Sequence, residues 1–422
     1  MSRRRIVLGA LLSLGLTLAL SADRVWVTNL AGNTIVFFDS GSNALLGTVT
    51  VGDGPIDIAA DRAADPQRLF VANSVSDTIS VVAVNPVGQV GTLTGDSLFG
   101  PYDLPSGVTR TPAGQILVVD QKATTFPGTP SGRGTIRVID PQTLQTVDGF
   151  RDASPTAQYT DVVTAHGRIW VADAGDQGVA VVFPPSAAAP WSYPRTLIYQ
   201  GGGDFADFIE DESDEATPPA PKTFLLQPRR LATDGSTRVV VADAGSDVVT
   251  IIDAQYAQES LAILRNVDLG LAAGQTVSDV AVAGGFAYAV SSSVATLFRI
   301  NLTTFAVDTL ALGGLLPGGL GVTSDGELLY AGAAAGGDIR EVNLDPTGVA
   351  APALGALIVG VATASPFGFL AAPVNANSGS GSTPTWISTS TGSSSESNDC
   401  GLLGAEALLL VLGAAAFVRR RP

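Results

Sequence analysis

Cysteine, histidine and methionine are nearly absent from this chain of 422 residues. It contains one residue of each, and 23 lysine and arginine residues stand against 39 aspartate and glutamate residues. A single cysteine excludes an internal disulfide framework, and with a single histidine it excludes metal centres built from several Cys or His ligands. The net charge of −16 disfavours a nucleic-acid partner, because phosphates would be repelled.

Charged residues make up only 15% of the chain, whereas hydrophobic residues make up 45%, which is ample for one large core. Common catalytic motifs are also missing. No GxSxG, Walker or GxGxxG pattern lies where a strand leads into a helix. The sequence therefore offers no ready-made enzyme signature.

A short strand pattern that ends on a turn-forming residue recurs along the chain. Its copies are VWVTN from Val25, LFVAN from Leu69, ILVVD from Ile116, IWVAD from Ile169, VVVAD from Val239, AYAVS from Ala287 and LYAGA from Leu329. A polar turn and another strand follow each copy, a short strand precedes most of them, and a fourth apolar run closes each unit. Four strands per repeated unit are typical of a propeller blade.

The order of the strands predicts how the ring closes. The chain opens on a second strand, VWVTN, and ends on a leftover first strand, PFGFL from Pro366. Joining the two would complete the first blade and hide both sheet edges, which otherwise invite aggregation. We therefore predict an all-β protein: a seven-bladed β-propeller of four-stranded blades over residues 23–374, closed by a C-terminal strand that joins the first blade.

The repeats VWVTN and LFVAN resemble the YVTN-type β-propeller repeats of exported and surface-layer proteins of bacteria and archaea. The resemblance extends from Asp23 to Pro373. It implies an exported scaffold. Because the family has no shared catalytic set, the resemblance assigns no role to any residue.

The N-terminus predicts export. Residues 1–22 contain three arginines, an apolar run from Ile6 to Leu20 and then small residues, which is typical of a secretory signal peptide. An uncleaved membrane anchor is the alternative, but the apolar run is short for a spanning helix.

The C-terminus predicts attachment to a membrane. Residues 375–399 are rich in Ser, Thr and Gly and are expected to be a linker. In residues 400–422, Cys400 precedes an apolar stretch, Leu402 to Val418, and terminal arginines. This arrangement resembles Cys-containing C-terminal sorting signals of Gram-negative bacteria, of the myxobacterial type. The resemblance implies processing and lipid attachment at Cys400; a retained tail anchor is the alternative. The expected location is the cell envelope, at the outer membrane or cell surface.

One position of the innermost strands is expected to ring the mouth of the central channel. Its occupants are Asp57, Gly107, Asp161, Arg230, Asp279, Gly319 and Gly368. Carboxylates of this kind suit a hard cation such as calcium, although on balance we expect no cofactor. The alternative, which we favour, is structural: each aspartate accepts hydrogen bonds from backbone N–H groups and Arg230 pairs with one carboxylate.

Other polar features have simpler interpretations. The insertion at residues 184–226 carries a dense acidic run, which predicts a solvated loop, although Phe205 and Phe208 leave partner binding open. His166 is expected on a turn. The aspartates of the VADAG sequences are expected to stabilise turns.

These observations favour a non-enzymatic binding scaffold, exported and tethered at the surface, that contacts a protein or glycan through loops at one end of the blades. The alternative is a metal-dependent, lactonase-like hydrolase at the channel mouth, with Asp57, Asp161 and Asp279 as ligands. It rests on analogy between propellers.

Overall fold

The computed structural model describes residues 23–61, 68–121, 134–152, 154–182, 196–199, 225, 227–255, 263–323, 326–345, 350–359, 366–373 and 387–388. Within these residues the regular secondary structure consists of β-strands. Seven antiparallel blades form a ring, which confirms the predicted seven-bladed β-propeller.

Each blade is described from its inner strand outward. Blade 1 contains β30 (Pro366–Pro373), β1 (Asp23–Asn29), β2 (Thr34–Asp39) and β3 (Leu45–Thr50). Blade 2 contains β4 (Pro55–Asp61), β5 (Arg68–Asn73), β6 (Thr78–Val84) and β7 (Val87–Leu93). Blade 3 contains β10 (Pro105–Arg110), β11 (Ile116–Asp120), β12 (Thr135–Asp140) and β13 (Gln145–Arg151). A small hairpin between blades 2 and 3 contains β8 (Gly95–Asp96) and β9 (Gly100–Pro101).

The remaining blades repeat this order. Blade 4 contains β14 (Tyr159–Ala165), β15 (Arg168–Asp173), β16 (Gly178–Val182) and β17 (Thr196–Tyr199). Blade 5 contains β18 (Pro228–Thr233), β19 (Arg238–Asp243), β20 (Val248–Asp253) and β21 (Ile263–Asp268). Blade 6 contains β22 (Asp279–Ala283), β23 (Phe286–Ser291), β24 (Val294–Asn301) and β25 (Val307–Ala311). Blade 7 contains β26 (Pro317–Val322), β27 (Leu328–Ala333), β28 (Ile339–Asn343) and β29 (Ala353–Ile358).

The two ends of the propeller meet in blade 1, as predicted. β1 runs antiparallel to β30, with Trp26 opposite Leu370. A two-residue strand, β31 (Ile387–Ser388), pairs with the other edge of β30. It lies within the segment that the sequence predicts as a linker; the neighbouring residues 374–386 and 389–399 lie outside the described residues.

The core lies between the blades. The second and third strands of a blade are buried on both faces, because every blade is packed against a neighbour on each side. An apolar cluster fills each of the seven blade junctions. At the junction of blades 7 and 1, the ring of Tyr330 meets that of Phe38 edge to face, with 5.2 Å between centroids. Such contacts stabilise the closed ring beyond the burial of area alone.

The turn-forming residue at the end of the second strand fastens the following turn. Asn73 Nδ2 donates hydrogen bonds to Thr78 Oγ1 and Ser80 Oγ, both 3.0 Å away. In blade 4, Asp173 Oδ1 accepts the N–H groups of Gly175 and Asp176, each at 3.1 Å. This is why Asn and Asp recur at the end of the repeated strand pattern.

Several sequence predictions fall outside the described residues. Of the insertion at 184–226, only 196–199 and 225 are described, and 196–199 form the outer strand of blade 4. The signal peptide at 1–22 and residues 400–422, with Cys400, are not described. Among the described segments we find no helix with the length and apolar character needed to cross a membrane.

Candidate functional site

The four charged residues predicted at the channel mouth lie in the inner strands of blades 2, 4, 5 and 6. All are buried: their exposed fractions are 1% for Asp57, 0% for Asp161, 8% for Arg230 and 6% for Asp279. In blades 2, 4 and 5 the pairing register shifts just before this position. In blade 2, for example, it passes from Pro55 to Asp57 and skips Ile56. A β-bulge therefore precedes the charged residue and turns the skipped side chain in another direction.

The three aspartates fasten one blade to the next. Asp57 Oδ2 accepts the N–H of Val108 in blade 3 at 2.8 Å. Asp161 Oδ2 accepts the N–H of Leu231 in blade 5 at 2.8 Å, and Asp279 Oδ2 accepts the N–H of Leu320 in blade 7 at 2.7 Å. We call these three interactions the blade latches.

The second oxygen of two latch carboxylates is also engaged. Asp161 Oδ1 accepts the N–H of Val162, and Asp279 Oδ1 accepts the N–H of Val280, each at 2.8 Å. Backbone donors therefore contact both oxygens of these carboxylates, as the structural interpretation expects. Among the described residues, no group of three or more His, Cys, Asp or Glu side chains is placed to hold a metal ion. Calcium binding at the ring stays a prediction.

Arg230 spans the channel. Its Nη2 donates to the carbonyl oxygen of Ile56 at 3.1 Å, which links blade 5 to blade 2. This is the only hydrogen bond that the guanidinium makes to a described residue, and no described carboxylate forms a direct ion pair with it. Asp161, Asp57 and Asp279 instead act on it at longer range. The expected direct pairing of Arg230 with one carboxylate is thus replaced by attraction to all three.

The pKa values of the ring reflect burial opposed by mutual attraction. Burial raises the pKa of Asp161 well above its usual value, although the charge of Arg230 works against this shift. Burial likewise raises the pKa of Asp279 to about 6. Burial alone would lower the pKa of Arg230, but attraction to the three carboxylates is the larger effect and raises this pKa. The arginine is held charged, while the carboxylates of Asp161 and Asp279 retain protons more readily than exposed ones.

Glycine at the equivalent position of blade 3 permits close packing at the ring. A Cβ atom at Gly107 would lie 2.9 Å from Asp161 Cα and 3.0 Å from Val119 Cγ2. The backbone of Asp161 cannot yield as a flexible side chain would. At least one glycine of this column is therefore required, because the inner strands of two blades approach each other closely there.

A cavity of about 410 Å³, lined in part by Arg230, lies at the end of the channel where the inner strands begin. We call it the mouth cavity. Side chains from blades 1 to 5 contribute to its wall. They are Leu30, Ile56, Ser106, Gln121, Gln158, Thr160, Ala174, Gln227, Pro228, Arg229, Arg230 and Ala244.

The bulges turn Ile56, Ser106, Thr160 and Arg229 into the wall of the mouth cavity. Of the column residues predicted to ring the mouth, Arg230 also lines this cavity, whereas in blades 2, 3 and 4 the lining residue is the one just before the column position. The repeated order of Pro or Tyr, one variable residue and then the column residue is the signal that would have found them. The two hydroxyl groups serve the fold, since Ser106 Oγ donates to Tyr159 O at 2.6 Å. Thr160 Oγ1 donates to the carbonyl oxygen of the next inner strand at 2.8 Å.

A second buried charge cluster lies in blade 3, and sequence reasoning missed it as well. Arg137 is 2% exposed; its Nε lies 2.8 Å from Asp120 Oδ2 and its Nη1 lies 2.6 Å from Asp96 Oδ2. It also donates to the carbonyl oxygens of Gly100 and Pro101. This cluster fixes the hairpin of β8 and β9 to the blade. A lone arginine within the apolar strand TIRVID was the available signal.

His166 lies on the turn between β14 and β15, as predicted, with a φ of 49° and an exposed side chain. Asp173 and Asp243 stabilise turns, also as predicted. These residues contribute to the fold rather than to a reactive centre.

Comparison with known proteins supports the fold. No family model matches the sequence, and no curated protein matches it. Three solved structures are similar over 82% of this chain: a functionally unknown protein from Desulfotomaculum acetoxidans, the periplasmic gluconolactonase PpgL of Pseudomonas aeruginosa and a protein from Lactobacillus plantarum. The identities are 13%, 15% and 14%, the TM-scores are 0.58, 0.57 and 0.58, and 99%, 98% and 98% of those chains are covered. At such low identity the likeness shows the fold alone.

Proposed function

We propose that this protein is an exported, non-enzymatic binding propeller, tethered to the envelope of a Gram-negative bacterium at the outer membrane or cell surface. Its ligand or partner contacts the face that carries the mouth cavity. The proposal includes the YVTN-type repeat character and the C-terminal sorting signal. The resemblances of VWVTN and of the segment around Cys400 support these two features.

One observation carries the non-enzymatic part of this proposal. The column carboxylates, which a channel-mouth enzyme would use as metal ligands, accept backbone N–H groups instead. In Asp161 and Asp279 both oxygens are engaged in this way. Replacing such bonds by metal coordination would leave buried N–H groups unsatisfied at the blade junctions, which is costly.

Tethering is supported by the order of segments along the chain. An arginine-rich start, an apolar run and small residues are typical of an export signal. A polar linker then separates the propeller from Cys400 and from the apolar stretch Leu402 to Val418. A lipid on Cys400 and a retained apolar helix would both attach the protein to a membrane.

The second candidate function is a lactonase-like hydrolase at the channel mouth, and one observation favours it. Buried carboxylates with raised pKa values, such as Asp161 and Asp279, are common at catalytic sites. The likeness to a gluconolactonase adds only the fold.

The deciding experiment uses the full-length protein extracted from its native membranes. Hydrolysis of sugar lactones and the unfolding temperature are measured with and without added Ca²⁺. The same measurements are made on a variant with Asp57, Asp161 and Asp279 changed together to Asn. A binding propeller should show no lactone hydrolysis above background and no calcium-dependent rise in unfolding temperature. Hydrolysis that needs calcium and disappears in the triple variant would overturn the non-enzymatic proposal.

Intact mass of the same extract tests the tether. A chain that ends at Cys400 and carries acyl groups supports surface lipidation. A mass that includes the terminal arginines would contradict it and would indicate a tail anchor with the propeller facing the periplasm.

A further inference from the structure

The mouth cavity is not symmetric, because blades 4 and 5 each contribute the same two residue types, a glutamine and an alanine, to its wall. In each, a glutamine immediately precedes the inner strand: Gln158 before β14 and Gln227 before β18. In each, an alanine follows the second strand: Ala174 after β15 and Ala244 after β19. All four residues line the cavity. Two adjacent blades thus present the same pair of an amide and a small side chain.

The main chain of each glutamine is clamped on both sides. Gln158 N–H donates to Asp173 Oδ1 at 2.8 Å, and its carbonyl oxygen accepts the N–H of Ala174 at 2.9 Å. Gln227 repeats this, with 2.7 Å to Asp243 Oδ1 and 2.8 Å from the N–H of Ala244. The two VADAG sequences therefore hold the glutamine backbones in place. Ordering these residues in advance lowers the entropic cost of binding.

The side-chain amides are not used by the fold. Neither Gln158 nor Gln227 makes a side-chain hydrogen bond to a described residue; at the cavity wall Gln158 is partly exposed and Gln227 is exposed. Each amide keeps two donors and an acceptor oxygen for a ligand. In blade 4, glycine is required beside Gln158, because a Cβ atom at Gly175 would collide with Thr156 O and approach Gln158 Cγ to 2.9 Å.

The charges beneath the cavity largely offset one another. Two guanidinium groups, Arg229 and Arg230, line it, and Asp279 acts on both of them. Asp57 and Asp161 also surround Arg230. Among the described residues no carboxylate lines the cavity itself. An anionic ligand would meet arginines whose charge the buried carboxylates behind the wall partly offset, and a cation would meet the arginines directly. The amides in the wall are neutral, so the surroundings favour an uncharged polar ligand.

We propose that the mouth cavity binds an uncharged, hydroxyl-rich saccharide of one or two rings. The amides of Gln158 and Gln227 contact its hydroxyl groups from the side, and the N–H groups of Arg230 contact it from the floor. This inference rests on the proposed binding function and names its ligand class.

The fit follows from hydrogen-bonding geometry and size. Neighbouring hydroxyl groups on a sugar ring each donate and accept, and planar amide or guanidinium groups can serve two of them at once. The volume of about 410 Å³ lies within the roughly 300 to 1,000 Å³ of small-ligand sites. Leu30 and Ile56 supply apolar wall for the C–H faces of the ring.

The test is binding of defined sugars by the full-length protein in detergent. A glycan array of neutral oligosaccharides and their uronate-terminated counterparts identifies the best sugar, and calorimetric titration gives its affinity. Gln158→Leu with Gln227→Leu removes the amides at similar volume and should weaken binding about 25-fold, from two hydrogen bonds of about fivefold each. Ala174→Leu keeps the amides but fills the cavity, and it should abolish binding. Gln145→Leu, on an exposed outer strand, is the matched control and should leave the affinity unchanged.

The outcomes separate this inference from the proposed function. Binding of a neutral sugar that both cavity variants impair supports the inference. It is overturned if no neutral sugar binds, if only uronate-terminated sugars bind, or if folded cavity variants bind as wild type does. None of these results bears on lactone hydrolysis or on the mass at Cys400, which test the proposed function itself.

Discussion

The blade latch at Asp161 should be the most sensitive single point of the ring. Asp161→Ala removes the acceptor of two backbone N–H groups, those of Val162 within blade 4 and Leu231 in blade 5. Both groups are buried. Because water cannot replace the carboxylate without entering the junction, each N–H is left without a partner.

The magnitude follows from opposing contributions. Each buried unsatisfied donor costs about 1 to 3 kcal/mol, so two cost about 2 to 6 kcal/mol. Burial of the Asp161 carboxylate is itself unfavourable, so its removal recovers part of this free energy. Loss of its attraction to Arg230 lowers the stability in turn. We expect a net loss of about 2 to 4 kcal/mol for Asp161→Ala. Asp161→Asn keeps one acceptor oxygen and should lose about half as much.

Urea-induced unfolding followed by tryptophan fluorescence measures this loss, since the buried Trp170 packs in the junction between blades 4 and 5. Asp308→Ala is the control. Its side chain is 62% exposed and pairs with Arg299 on the surface, so it should cost no more than about 1 kcal/mol. If Asp161→Ala and Asp308→Ala had the same midpoint, the latch would not stabilise the ring and the reasoning would be wrong.

Three further changes test other parts of the fold. Because the pKa of Asp279 is raised to about 6, its contribution to stability is largest below its ordinary pKa and falls as pH rises through about 6. The unfolding temperature of Asp279→Asn should therefore rise relative to that of wild type between about pH 4 and pH 7. A difference that does not change with pH would contradict this. Arg137→Met leaves buried carboxylates without their cation and should cost about 3 to 5 kcal/mol, part of which Asp120→Asn recovers in the double variant. Gly107→Ala pushes a Cβ against the backbone of blade 4 and should cost about 1 to 3 kcal/mol in chemical unfolding, whereas Gly88→Ala, with open space around it, should be nearly neutral.

The repeat and the closing strand could be predicted because both depend on local pattern. Each second strand is apolar throughout, with little alternation of polar and apolar residues, and ends on a turn-forming residue. A strand packed between two blades requires such a pattern. The leftover strand from Pro366 had an obvious partner, since β1 was the one second strand with no first strand before it. Its pairing with Trp26 follows from that count.

The site was only partly predictable, because a bulge shifts which residue faces the channel mouth. Without the bulge before Asp161, alternation alone would put Thr160 on the opposite side from the column. With it, Thr160 joins the cavity wall. The backbone partners of the aspartates lie in other blades and are set by how closely those blades pack. Similarly, Arg230 reaches Ile56 across 174 positions of sequence, a contact that no local pattern encodes.

The latches also explain why blade 1 needs the closing strand. They join blade 2 to 3, blade 4 to 5 and blade 6 to 7, so an odd number of blades leaves blade 1 without one. At its position in the column stands Gly368, which has no side chain to accept a neighbour's N–H group. Blade 1 is instead held by the ladder between β1 and β30, by the contact of Phe38 with Tyr330 and by the hydrogen bond from Asn43 Nδ2 to Glu341. Because this ladder within blade 1 pairs the first and last strands of the propeller, it closes the longest loop of the ring and has the largest loop-closure entropy cost. The pairing of the first and last propeller strands thus holds blade 1 in the absence of a latch, and blade 1 is where we expect the ring to open first.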